Sequence, residues 1–77
     1  STHASAAVAR LFGLTPQEGK LALLLATGSS INEAAEHLGV AISAARNYSK
    51  NIYAKLNLRG QNDLIRLISK SFALLRS

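Results

Sequence analysis

The chain has no cysteine, methionine or tryptophan, a single proline, two tyrosines, two phenylalanines and only four acidic residues in 77 positions. Without cysteine, disulfides and thiolate metal sites are excluded. The carboxylates, Glu18, Glu33, Glu36 and Asp63, are too few and too scattered for a paired-carboxylate active site. Three of them fall in the expected first or second turns of helices, where the helix dipole favours negative charge. His3 and His37 stand far apart in sequence, so no metal site is expected, and His37 belongs in the last turn of a helix, facing solvent. No nucleophile paired with a base and no phosphate-cradling loop is present, which argues against an enzyme, and no cofactor is implied. No apolar run approaches the roughly 20 residues of a membrane span, and no signal peptide is visible. The reading is therefore of a cytoplasmic chain with no membrane partner.

What is present is positive charge. Nine Lys and Arg against four Asp and Glu give a net charge of +5, and a pI near 10.3 makes an anionic partner worth proposing. A chain of 77 residues is one small domain with a core just large enough to fold alone. It starts at Ser1 rather than Met, which reads as a piece excised from a longer protein.

The stretch from Ile31 to Tyr48 organises the rest. It reads as two short helices joined at Gly39, with the small Ala35 where the helices would cross, and Gly39 four residues later where a sharp turn needs a positive φ. Ala34, Leu38, Val40, Ala45 and Tyr48 fall on the inner faces. Small residue, glycine and apolar positions in one register describe a helix-turn-helix better than an ordinary helical hairpin.

Around this pair the chain divides into a linker with a short helical segment, residues 1–13, and a domain, residues 14–77. Ala4 to Phe12 suits a helical turn or two stopped by Gly13. Thr15, Pro16 and Glu18 form a cap, a first-turn proline and a capping box, opening a helix to about Thr27 that buries Leu21, Leu24 and Leu25. Ser30 and Glu33 form a second capping box for Ile31 to Leu38, and the free amides there, with the Ser29 and Ser30 hydroxyls, would suit a phosphate. The next helix is expected from near Ile42 to about Leu56. Its inner stripe is Ala45, Tyr48 or Ser49, Ile52 and Leu56, and its outer stripe is Ser43, Arg46, Asn47, Lys50 and Ala54. An Arg, an Asn and a Lys within two turns, flanked by small residues, fit the DNA major groove. A last helix from about Gln61 or Asn62 to Leu75 carries Leu64, Ile65, Leu67, Ile68, Phe72, Leu74 and Leu75, more apolar positions than one core-facing stripe needs. Either a second copy of the chain or the N-terminal segment around Val8, Leu11 and Phe12 would cover the excess.

With these residues in place, the sequence resembles the LuxR/GerE-type helix-turn-helix family, which also provides the output domains of NarL- and FixJ-like response regulators. The similarity spans roughly Leu14 to Ile68. It rests on Leu14-Thr15-Pro16-Gln17-Glu18, Leu24-Leu25-Ala26-Thr27-Gly28, Ser30 with Glu33 and Ala35, Leu38-Gly39-Val40, Arg46-Asn47, Ile52-Tyr53-Ala54-Lys55-Leu56 and Asp63-Leu64. The fourth region of sigma factors shares the first three helices and the Gly39 turn, but the long apolar last helix argues against it.

The resemblance implies an all-α, four-helix domain, here with the short additional N-terminal segment, whose third helix reads the major groove and whose fourth serves dimerisation. It places Arg46, Asn47 and Lys50 at base edges. It places Ser43, Tyr48, Asn51, Lys55 and the helix start at Ser29 and Ser30 at phosphates or in support of them. Leu64, Ile65, Leu67, Ile68 and Phe72 become the dimer interface. The chain departs from the family where Ala41 replaces the usual Ser or Thr cap, where Ala44-Ala45 replaces Thr-Val, and where Tyr48 replaces a frequent His. The missing cap leads to the expectation that the reading helix starts one turn later, capped by Ser43, or is looser than usual.

The function these residues support is sequence-specific binding of double-stranded DNA by the output domain of a bacterial transcriptional regulator. It would act as a homodimer through the fourth helix, with an N-terminal sensor or receiver domain missing from the chain. The competing reading is a helical interaction or dimerisation module with weakened DNA specificity, suggested by Ala41, Ala44 and the apolar last helix.

Overall fold

The computed structural model describes residues 2–76, with side chains over 3–73. Among the described residues there are five helices and no strand: α1 Thr2–Phe12, α2 Pro16–Ala26, α3 Ile31–Leu38, α4 Ile42–Leu56 and α5 Gln61–Arg76. The four expected helices are thus α2 to α5. The side chains of Leu74 and Leu75 lie outside the described residues.

The helix starts follow from short-range chemistry. The Thr15 hydroxyl accepts from the Glu18 amide at 3.2 Å while Glu18 Oε1 accepts from the Thr15 amide at 3.0 Å, with Pro16 at the first position. Ser30 and Glu33 repeat the exchange at 3.1 and 2.8 Å. The first four helices stop alike. A residue with positive φ, Gly13, Gly28, Gly39 or Asn57, lets the next amide reach back five residues, as Val40 N–H does to Ala35 at 3.0 Å and Leu58 N–H to Tyr53 at 2.8 Å. At Gly39 the φ of 70° would crowd a Cβ against the backbone. Asn57 tolerates its φ of 57° as asparagine does more readily than most residues.

Helix α4 corrects one expectation. It begins at Ile42 and not later behind a Ser43 cap, although Ala41 offers no side-chain cap. The Ala45 amide reaches the Ala41 carbonyl at 3.0 Å, so the first turn closes on backbone and buried Ala45 alone. Ala41 already has the extended backbone of a cap residue. Ala41→Ser is therefore expected to stabilise the domain by about 1 kcal/mol, raising the melting temperature by roughly 4–8 °C. Thermal unfolding followed by circular dichroism checks it.

The core is built from Val8, Leu14, Leu21, Ala22, Leu25, Ala34, Ile52, Leu64 and Ile68, drawn from every helix. Leu24, expected inside, is only half-buried, because it turns toward an open groove between α1, α2 and α3. Gly19, on the same helix, is where α1 rests, close to Ser5 and Ala9. The N-terminal segment is longer than the expected turn or two: α1 has 11 residues, packs along α2, and buries Val8 and Ala9. Leu11 points outward at 54 % exposure and covers nothing.

Candidate nucleic-acid interface

The helix-turn-helix pair is α3 and α4, crossing where both partners are small: Ala34, Ala35 and Ala45 are all buried. Ala45 and Ile52 lie two turns apart on one side of α4 and are fully buried. That leaves the opposite side to solvent, and there Ser43, Arg46, Asn47, Lys50 and Asn51 are all exposed. None of Arg46, Asn47 and Lys50 takes part in an ion pair among the described residues. The result is one cationic, hydrogen-bonding stripe on a helix whose other face is anchored.

Other predicted site residues are placed differently. Tyr48 is half-buried and packs on the core, so its ring supports α4 and does not stand free on the stripe. Ser30 spends its hydroxyl as acceptor for the Glu33 amide, and the Glu33 carboxylate holds the Ser30 amide at 2.8 Å. That amide holds the Glu33 carboxyl below the usual range, so the start of α3 carries a fixed negative charge where a phosphate was expected. The Ser29 carbonyl accepts from Gln61 Nε2 at 2.9 Å, as does the Leu25 carbonyl, a bridge from the start of α5 to the α2–α3 turn. No local pattern marked Gln61, because its partners lie 36 and 32 residues away.

Lys55 is the larger surprise. Its ammonium, expected at or behind a phosphate, donates to Glu18 Oε1 at 2.7 Å. Glu18 is 4 % exposed. Burial by itself would raise its pKa, but the hydrogen bonds from Lys55 and from the Thr15 amide outweigh it and hold the carboxyl below its ordinary range. A carboxyl whose pKa is lowered on folding stabilises the fold above its unfolded pKa, near 4.5, and loses that stabilisation as pH falls through its folded value. The difference in urea midpoint between the native chain and Glu18→Gln is expected to be largest near neutral pH and to close as pH falls below 4.5 and through the lowered folded pKa.

The dimer surface read from the sequence also changes. Leu64 and Ile68 are buried in the core of their own chain, since α5 packs on α2, and cannot reach a second copy. Phe72 is half-buried against the same core. Of the five residues, Ile65 and Leu67 are the half-buried pair outside that core cluster.

A family description, bacterial regulatory proteins of the luxR family, matches residues 13–68, which spans α2, α3, α4 and the first half of α5. The chain belongs to the luxR family. Comparison with curated proteins and with solved structures finds no match. The luxR-family match makes the chain a helix-turn-helix DNA-binding regulatory domain. The luxR-family match leaves α1 outside its bounds, although α1 contributes Val8 to the core. Among the described residues no helix is long and apolar enough to cross a membrane, and no group of three His, Asp or Glu residues is placed to hold a metal ion.

Proposed function

We propose that this domain is the output domain of a bacterial transcriptional regulator in the cytoplasm and that it binds double-stranded DNA sequence-specifically, with α4 in the major groove. Arg46, Asn47 and Lys50 meet base edges, Arg suiting guanine and Asn suiting adenine. Ser43 and Asn51, exposed beside them, meet phosphates. The observation that carries this reading is the exposed Arg46-Asn47-Lys50 stripe directly opposite the buried Ala45 and Ile52. Packing on one side fixes the helix, so its other side is presented as a rigid edge.

With few base contacts per copy, affinity must come chiefly from released counterions and from pairing two domains. We place that pairing on α5 through Ile65 and Leu67, which would set two α4 helices at half-sites about one helical turn apart.

The test is fluorescence anisotropy of a labelled mixed-sequence duplex at low and moderate salt. Affinity is expected to fall steeply with salt, and Arg46→Ala and Lys50→Ala are each expected to weaken binding by about tenfold. A folded domain that binds no duplex at low salt would overturn the proposal and transfer the function to a protein-interaction module working through α5.

A further inference from the structure

We infer that Glu18, which touches no DNA, is a positioning residue for sequence reading: through Lys55 it fixes the C-terminal end of α4 and so aims Arg46 and Asn47. This rests on the DNA-binding reading above and adds a residue from outside the helix-turn-helix to it.

The geometry that supports it lies at the two ends of α4. Near its start, α4 is held against α3 by Ala45. At its last turn it carries Lys55, whose Nζ is 2.7 Å from Glu18 Oε1. Lys55 lies nine positions after Arg46, about 13 Å along the helix. A helix behaves as a rod over that length, so a shift at Lys55 moves the reading edge as well. Base readout tolerates little of this, since polar groups must be held to within about 0.5 Å of their working geometry.

Glu18 is itself held on two sides. It is 4 % exposed, its Oε1 accepts both from Lys55 and from the Thr15 amide at 3.0 Å, and it belongs to the capping box that starts α2. The pair therefore ties a side chain of the reading helix to the capped start of α2. Lys55 lies about 140° around the axis from Lys50, off the exposed stripe and toward α2. One of its three N–H donors is taken by Glu18, so a phosphate would have to share the ammonium with that carboxylate.

The consequence has a sign opposite to simple electrostatics. Glu18→Gln removes one negative charge from a chain of net charge +5, which by itself strengthens attraction to any DNA. Glutamine can still complete the capping box, so the start of α2 survives. The positioning role predicts that affinity for random duplex stays level or rises, while affinity for the preferred site falls.

The experiment selects a preferred duplex from a random pool with the 77-residue chain, then measures affinity for that duplex and for a scrambled one in the native chain, Glu18→Gln and Lys55→Met. Circular dichroism at the same temperature confirms that each variant is folded. The ratio of preferred to scrambled affinity is expected to drop by about tenfold in both variants, the scale of one misaimed base contact. The salt dependence on scrambled duplex is expected to be unchanged in Lys55→Met. A purely structural pair would lower stability and leave the affinity ratio of the folded protein unchanged, and that result overturns the inference. A salt slope smaller by about 0.9 in Lys55→Met would show a phosphate contact instead, and also overturns it. A native chain that selects no preferred duplex overturns the DNA-reading proposal itself, and this inference with it.

Discussion

Gly19→Ala is expected to destabilise the domain by about 1–3 kcal/mol, lowering its melting temperature by roughly 5–20 °C. The usual sign is the reverse, because alanine in a helix interior is favoured over glycine by roughly 0.5–1 kcal/mol. Here a Cβ on Gly19 would lie 2.7 Å from the Ala9 Cβ and 2.7 Å from the Ser5 carbonyl oxygen. Both belong to α1, and the oxygen is backbone, so no side-chain rotation relieves the contact. Either α1 lifts off α2, exposing Val8 and Ala9, or the helices separate along their length. Gly60→Ala is the steric control: an added Cβ there meets nothing within 4 Å, and its φ is not in the left-handed region, so the change should cost less than about 1 kcal/mol, from alanine being a poorer cap than glycine at the start of α5. Thermal melts of the two variants beside the native chain give the comparison, and a Gly19→Ala melting point equal to or above the native one would show that α1 does not pack on α2 as described.

Ile52→Ala carries the largest expected cost, about 2–5 kcal/mol. Ile52 is fully buried in the cluster that joins Leu21 and Leu25 of α2, Ala34 of α3 and Leu64 of α5, so truncation opens a cavity shared by four helices. For a domain this small, whose total stability is on the order of 5 kcal/mol, that loss leaves a large unfolded fraction at physiological temperature. Ile52→Val, which removes one methyl from the same place, should cost about 0.5–1.5 kcal/mol. Urea titration separates the two cases: a cooperative transition at a lower midpoint for Val, and little or no folded baseline for Ala. Because Ile52 anchors α4 from the side opposite the Arg46-Asn47-Lys50 stripe, DNA affinity should fall in Ile52→Ala at least as far as the folded fraction does. A larger fall would mean that the cavity also lets α4 move.

These two positions differ in what a reader of the sequence could see. Ile52 was expected inside, since a 3.6-residue period places it beneath Ala45 and away from Arg46 and Lys50. Gly19 was read as nothing more than one residue of a helix. Its role depends on Ser5 and Ala9, which approach only when α1 folds back over α2, and nothing in the local pattern states that it will.

The same division runs through the whole molecule. Interactions that span three to five residues are set by the chain itself. The Thr15-Glu18 and Ser30-Glu33 capping boxes, the turn at Gly39 and the amphipathic split of α4 were all legible, because the groups concerned meet in any helix of that sequence. From them the helix order, the helix-turn-helix and the exposed Arg46, Asn47 and Lys50 follow. Tertiary packing decided what those local rules leave open. It turned Lys55 from an expected partner of phosphate into the partner of a buried carboxylate 37 residues away, and tied Gln61 to Ser29. It also assigned Leu64 and Ile68 to the chain's own core and left Ile65 and Leu67 outside that cluster. An apolar or charged side chain has many partners of suitable chemistry in the sequence, and only the docking of one helix on another selects among them. Local hydrogen bonding therefore determined where the helices begin and end, and long-range packing determined which side chains remain free to act.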